Sequence, residues 1–288
     1  MTKMLYLLIL ISIFNSLSIQ AQDATQINIV YEMQHKRDLN TDRLIVQKDM
    51  LSLSKSASRF VNLSIFNSNS KAAIEARKLM MEKIKSASTS TMRTVSGSPM
   101  IAVSKEGVKV TEEIMTYPND KTYSVTGLLG LMQYNYVSKI PPIKWSLKSD
   151  RKTILGYECQ KAVGDFGGRT YEVWFTAVLP YNFGPWKLNG LPGLILEAHD
   201  SKNEISYVAK EITKNTDPDE QVISYLQSEN AIKVKEKEYK ATLRQYILEP
   251  ETLTAAQFPN TKVMVSNTDN PNDKTVKSVK KYNPIELR

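Results

Sequence analysis

Short alternating segments dominate the chain. From Gln26 to Met33, the side chains of Ile27, Ile29, Tyr31 and Met33 fall on one face, which is the two-residue period of a half-buried strand. Asp38 to Asp42 is rich in turn formers and breaks the pattern. Leu44 to Leu53 and Ser58 to Ile65 predict two more strands, with Lys55 to Ala57 at the tip between them. Asn67 to Ser70 offers caps for a helical run from Lys71 to Lys85, where Ile74, Arg77, Met81 and Ile84 or Lys85 recur at three- and four-residue spacing. Ser86 to Pro99 reads as a loop.

Met100 to Ser104 and Val108 to Thr111 predict a hairpin turning at Lys105 to Gly107. Ile114 to Ser124 continues the strand pattern across a turn at Tyr117 to Asp120. Leu128 to Met132, with Tyr134 and Tyr136, fits a short helix or a strand. Pro141-Pro142 ends that piece and Ile143 to Leu147 alternates again. Lys152 to Val163 predicts one strand, Gly164 to Arg169 a hairpin turn, and Thr170 to Thr176 the returning strand. Leu194 to Asp200 and Glu204 to Ile212 form a further hairpin around Ser201 to Asn203. From Asn230 to Tyr246, Ile232, Tyr239, Leu243 and Tyr246 fall near helical spacing in a Lys/Glu background. Asn267 to Lys281 is polar and predicts a loosely held tail, and Tyr282 to Leu287 is apolar enough to dock again. The order is a meander of antiparallel strands and not a βαβ alternation.

The densest stretch runs from Phe183 to Glu197, inside a long connection from Pro180 to Pro192. Gly184 and Pro185, then Gly190, Pro192 and Gly193, are its structural turn residues. Leu191-Pro192-Gly193-Leu194 predicts a type II turn, with proline fixing φ at the second position and glycine supplying positive φ at the third. Loops of this length are packed by their own side chains or functional. Phe183, Trp186 and Leu188 can plug one end of the core, and Trp186 and Lys187 can instead face a ligand.

Composition sets the address and removes several functions. Lys3, an apolar run from Met4 to Phe14 and a small residue at Ala21 match a secretory signal peptide over residues 1–21. The apolar run is too short to span a bilayer, which takes about 20 residues. The expectation is therefore a periplasmic or secreted protein, residues 22–288, in one domain whose part beyond about 214 is helical and polar. No transmembrane segment is expected in the mature chain. The formal charge is +8, and removing Lys3 leaves +7. Glutamates interleave the lysines of the densest patch, Lys233 to Lys240, so nucleic acid is not the expected partner. Cys159 is the single cysteine and reads as a small buried hydrophobe on a strand.

Catalytic motifs are missing: no nucleophile elbow, no His-Glu-x-x-His, no phosphate-binding loop, no dinucleotide fingerprint. No metal site and no cofactor are expected. Glu197 and His199, two apart on a strand, share a face. They can seed an acid–base pair or a metal site, but no third and fourth ligand stands at a recognisable spacing. Arg169, at the end of a glycine turn, suits an anion, or braces the hairpin to Glu172 or Glu197.

Gly190-Leu-Pro-Gly-Leu-Ile195 resembles the signature of the GLPGLI family of secreted Bacteroidetes proteins. Leu155 to Ala162, Gly168-Arg169, Val173 to Thr176, Gly184 to Lys187 and Tyr282 to Leu287 resemble it as well. The resemblance implies no established activity and no catalytic residue. The expected fold is mainly β (α+β), a curved antiparallel sheet or half-barrel with two helices, similar to periplasmic lipoprotein carriers. The expected role is a non-enzymatic cell-envelope protein that binds a lipid-like apolar ligand or an outer-membrane protein partner. Trp174, Trp186, Lys187, Arg169 and Glu197 are its candidate binding residues. The alternatives are a structural accessory of an outer-membrane assembly and a hydrolase built on Glu197 and His199.

Overall fold

The computed structural model describes residues 27–68, 100–104, 110–215, 231–257, 262–266 and 281–287. The expected signal peptide, the helix expected over 71–85 and most of the polar tail lie outside the described residues. The protein is mainly β. One sheet of 12 strands is antiparallel throughout except at one edge, and a second sheet has two strands.

The described residues enter the large sheet in its middle. From β1 (Ile27–His35) the chain meanders outward through β2 (Ile45–Leu53), β3 (Ser58–Asn62), β5 (Thr111–Tyr117), β6 (Thr122–Leu129) and β7 (Met132–Lys139). It then restarts at the opposite edge with β8 (Trp145–Ile154). From there β9 (Tyr157–Phe166), β10 (Arg169–Thr176), β11 (Leu194–Asp200) and β12 (Ile205–Lys214) lead back to pair with β1. β13 (Ile232–Lys233) runs parallel to β7, and β4 (Met100–Ser104) pairs in parallel with β14 (Lys262–Ser266). Three helices are described: α1 (Leu63–Ser68), α2 (Glu236–Leu248) and α3 (Pro250–Gln257).

Connection lengths require the sheet to curl. In a flat sheet, ten strand spacings of about 4.8 Å would hold β7 and β8 about 48 Å apart. Residues 140–144 join them, and a link of that length reaches at most about 22 Å. The two halves therefore bend toward each other and enclose one core. Its buried members come from both halves, among them Ile29, Tyr31, Leu51, Leu53, Val125, Tyr171, Val173 and Leu196. Alternation holds along β1, whose Ile27, Ile29, Tyr31 and Met33 point inward as their spacing requires.

Several local expectations are revised. Lys152 to Val163 is not one strand: Leu155 and Gly156, at φ 50° and 84°, make a turn between β8 and β9. Two successive positive φ values are those of the tight turn that matches strand twist, and nothing in the alternation marks it because Leu155 is not a usual turn residue. Met100 to Ser104 pairs in parallel with β14, and residues 105–109, the expected hairpin turn and the start of its returning strand, lie outside the described residues. Leu128 to Tyr136, open between helix and strand in the sequence, is the end of β6, a turn at Gly130-Leu131 and the start of β7, and the C-terminal helix begins at Glu236 and not near Asn230. Finally, Gly193 has φ 159°, well away from the value of about +80° that a type II turn demands. Its glycine is needed for space: a Cβ there would lie 2.1 Å from the Thr176 carbonyl oxygen.

Candidate functional site

The connection from β10 to β11 closes on itself as a small hairpin. Phe183 bridges Asn189, and the Leu188 amide donates to the Pro185 carbonyl at 3.1 Å. Trp186 takes φ 56° in that turn, a conformation uncommon for a bulky residue. Gly184 packs against Ile195, Pro185 is buried, Gly190 is exposed at φ 90°, and Pro192 is exposed. Phe183, Leu188 and Leu191 are buried in the core, so the loop packs as a plug. The Trp145 indole ties it to β8 by donating to the Asn189 carbonyl at 2.8 Å.

Trp186 and Lys187, at the tip of this plug, reach a cavity of about 280 Å³ inside the curled sheet. The cavity lies between the inner faces of β1, β2, β3, β5, β6 and β7, helix α2 and the segment 282–287. Trp186 sets its ring edge-on to Phe166, with centroids 5.4 Å apart. Lys187 is surrounded by rings, with Nζ 5.0 Å from the centroid of Tyr123, 5.1 Å from Trp186 and 5.7 Å from Tyr136. It also donates to the Tyr136 hydroxyl at 3.0 Å and pairs with Glu286, whose other oxygen meets Lys240 at 2.6 Å.

Across the floor of the cavity runs one cross-strand row. Tyr31 faces Asp49, Asp49 faces Asn62, and Glu112 faces Gly127. Phe60 faces Ile114 on the neighbouring rung, so Asn62 and Glu112 stand opposite one another as that ladder continues. Two carboxyl-bearing positions thus lie on one face, two strands or about 10 Å apart. Asp49 is almost fully buried. Its Oδ1 accepts from Gln47 at 2.9 Å and Asn62 at 3.5 Å, and its Oδ2 has no hydrogen-bond partner. Burial pushes its carboxyl up to about 6, against the pull of those two amides. Glu112 keeps some accessible surface, yet protein surrounds it, and burial raises its carboxyl too. The Tyr239 hydroxyl donates to Glu112 Oε1 at 2.8 Å. His35, also lining the cavity, is pushed down to about 4 by burial. It is therefore neutral at pH 7, and Nε2–H donates to the Asn283 carbonyl at 2.7 Å.

Arg169 is a brace, and its partners are neither Glu172 nor Glu197. It pairs with Asp200 at 2.6 Å and Glu204 at 2.8 Å, and donates to Asn283 Oδ1 and the carbonyls of Pro284 and Ile285. This buried guanidinium fixes the segment 282–287 over one side of the cavity. Glu197 and Trp174 lie on the other face of the sheet. Glu197 pairs with Lys152 at 2.7 Å and stands 3.7 Å from His199 Nε2, while Lys152 and Lys161 cover the Trp174 ring at 4.4 and 5.8 Å. The sequence places Glu197 and His199 together correctly, but neither lines the cavity. Cys159 is buried, and burial lifts its thiol to about 11, which leaves it unreactive at neutral pH. Among the described residues no group of three or more His, Cys, Asp and Glu is placed to hold a metal, and no helix is long and apolar enough to cross a membrane.

Residues 132–241 match the PNGase F-II N-terminal domain, described as an N-glycanase peptide, N-terminal domain. The match covers less than half of the chain. Part of PNGF-II is similar in fold: its structures in the P21 and C2 space groups superpose with TM-score 0.51 each, at 16% and 17% identity. Each alignment covers 78% of this chain and 34% of PNGF-II, so the chain spans about a third of that protein's length. No curated protein matches the sequence.

These findings correct two expectations. The matched family is the PNGase F-II N-terminal domain and not GLPGLI. The non-enzymatic envelope role falls with it, because the matched model and the similar structures belong to an N-glycanase. Within the hexapeptide, Gly193 answers a packing demand at Thr176. The PNGase F-II match includes the plug, Trp186, Lys187, Arg169, Glu197 and Tyr239, and excludes His35, Asp49 and Glu112. Those three were missed in the sequence, although each left a trace. His35 extends the inward face of Ile27 to Met33, Asp49 precedes Leu51 and Leu53 on one face, and Glu112 precedes Ile114. A titratable group at an inward strand position is the signal, and only the register shows that the three converge.

Proposed function

We propose that this chain is a glycan-directed hydrolytic domain of the N-glycanase kind, acting through the cavity under the curled sheet. One observation carries the reading: Asp49 and Glu112, both with raised carboxyl pKa, line a single aromatic-walled cavity. The partial match to the PNGase F-II N-terminal domain supports the glycan as substrate class. Hydrolysis needs one group to take a proton from water and another to give one to the leaving atom, and raised carboxyls in apolar surroundings suit both tasks near neutral pH. In this reading Glu112 accepts a proton from the attacking water. The resulting hydroxyl joins the carbon under attack. Asp49 delivers its proton to the departing atom as the bond between sugar and protein breaks.

Incubating the chain with a denatured N-glycosylated protein tests the proposal. Mass spectrometry of both products is expected to find free glycan and a peptide lacking it. Intact glycoprotein after long incubation across pH 5 to 8 would reject the reading.

A further inference from the structure

We infer that Glu286 is a clasp over the cavity, closed in this structure, whose release opens the side between the plug and α2. The clasp governs access whatever ligand enters. Its use, admitting a substrate larger than the closed space, rests on the hydrolytic reading.

The clasp joins two walls. Glu286 lines the cavity beside Lys187 of the plug and Lys240 of α2. One of its oxygens pairs with Lys187, and the other meets Lys240 at 2.6 Å. A single carboxylate therefore ties the plug to the helix. With this tie in place the space is about 280 Å³, just under the roughly 300 Å³ at which pockets for drug-sized ligands begin. A glycan still joined to a protein needs the cavity to open.

The segment 282–287 is fastened unequally along its length. Up to Ile285 it is fixed. Asn283 is 2% exposed, its amide donates to the Arg37 carbonyl at 2.8 Å and its carbonyl accepts from His35. Arg169 holds Asn283, Pro284 and Ile285 in turn. Beyond Ile285 the described ties are the two lysines and one backbone hydrogen bond, from the Leu287 amide to the Gly167 carbonyl at 2.7 Å. Leu287 is exposed. The hinge therefore falls between Ile285 and Glu286.

Opening strands no charge. Breaking a buried ion pair is costly when one partner is left buried and alone. That is the situation of Arg169 and Asp200, both 2% exposed. Glu286 differs. Lys240 also pairs with Glu236, one helical turn away, at 3.0 Å. Lys187 keeps the Tyr136 hydroxyl and the rings of Tyr123, Tyr136 and Trp186, and ring faces hold a desolvated ammonium well. The carboxylate itself swings into water. Release is thus a local opening that leaves the sheet intact.

Gly167 supplies a way to hold the clasp shut. A Cβ there would lie 3.6 Å from Glu286 Cβ, inside the range of about 3.5–4.5 Å that a disulfide spans. Gly167→Cys sets a side chain at φ 58°, so the oxidised and reduced forms of one protein, Gly167→Cys/Glu286→Cys, are the fair comparison. Cys159 is buried with a raised thiol and stays out of the exchange.

Amide exchange by NMR and binding of anilinonaphthalene sulfonate, an apolar anionic dye, test the clasp on the full chain. In Glu286→Gln the Leu287 amide is expected to exchange about ten-fold faster than in wild type, with the Asn283 amide unchanged, as a local opening requires. The same variant is expected to bind the dye more tightly. The double cysteine variant is expected to exclude the dye when oxidised and to take it up when reduced. Exchange at Leu287 that matches wild type, an equal rise at Asn283, or dye binding indifferent to the disulfide would overturn the inference. Neither readout involves glycan release. A clasp that opens in a chain without hydrolytic activity rejects the hydrolytic reading alone, and glycan release by the oxidised double variant rejects the clasp alone.

Discussion

Gly127 exists for Tyr239. A Cβ at residue 127 would lie 1.9 Å from the Tyr239 hydroxyl oxygen. The ring drops from α2 onto β6 through the gap left by the missing side chain, and its hydroxyl reaches Glu112. Tyr239 is 1% exposed and cannot swing aside. Gly127→Ala is expected to cost about 1–3 kcal/mol by overpacking. Tyr239→Phe keeps the ring and removes the donor to Glu112, which costs about 1–3 kcal/mol. Denaturant melts of the two variants and their combination give the check. If the contact is as described, the double variant loses less than the sum of the singles.

Two buried groups in the cavity pull stability in opposite directions with pH. Asp49 has a folded pKa of about 6 against 3.8 free, so its contribution is fully present below 3.8 and is lost as pH rises through 6. His35 has a folded pKa of about 4 against 6.5 free, so its contribution is present above 6.5 and is lost as pH falls through 4. Each is on the order of 3 kcal/mol, and between pH 4 and 6 they nearly cancel. Asp49→Asn is expected to lose stability on acidification across that window. His35→Gln is expected to gain it. Melting temperatures measured from pH 4 to 7 that run parallel in wild type and both variants would contradict these assignments.

Adjacent turn residues at the entry to β11 should respond very differently. Gly193→Ala puts a methyl group against the Thr176 carbonyl, which is backbone and cannot turn away. A cost of about 3 kcal/mol or more is expected. Pro192 is exposed, and Pro192→Ala should change stability by no more than about 1 kcal/mol. Thermal melts of the two single variants compare them directly.

Arg169 makes five contacts, three to the segment 282–287 and two to the carboxylates of Asp200 and Glu204. Arg169→Ala leaves the Asp200 carboxylate buried without its cation. A loss of about 3–5 kcal/mol is expected. Hydrogen exchange should rise first at residues 281–287 and along the neighbouring ends of β1 and β10. Arg169→Lys should recover little, since a single ammonium cannot reach two carboxylates and three oxygens of the segment at once.

Much of the sheet was legible because alternation is a local property. β1, β2, β3, β10, β11 and β12 each carry it in their own residues. The turn at Leu155-Gly156 was not legible, since positive φ at a leucine is imposed by the strands it joins. The pairing of β4 with β14 spans most of the chain and leaves no local mark. At the site, Trp186 and Lys187 stood out by their setting among glycines and prolines, and the structure carries both to the cavity. Glu197 and His199 stood out by spacing, and the structure places them on the outer face. Asp49, Glu112 and His35 come from three strands, and they converge only after β1, β2, β3 and β5 pair in register.

The central claim is that glycan hydrolysis runs through the cavity and not through the outer-face pair. Measuring glycan release by mass spectrometry for Asp49→Asn/Glu112→Gln beside Glu197→Gln/His199→Ala tests it most directly. Release by the wild-type chain is expected, with a loss of at least a hundred-fold in the cavity double variant with the fold retained, and near wild-type release in the outer-face double variant. Release that survives in the cavity variant, or that disappears only in the outer-face variant, would contradict it.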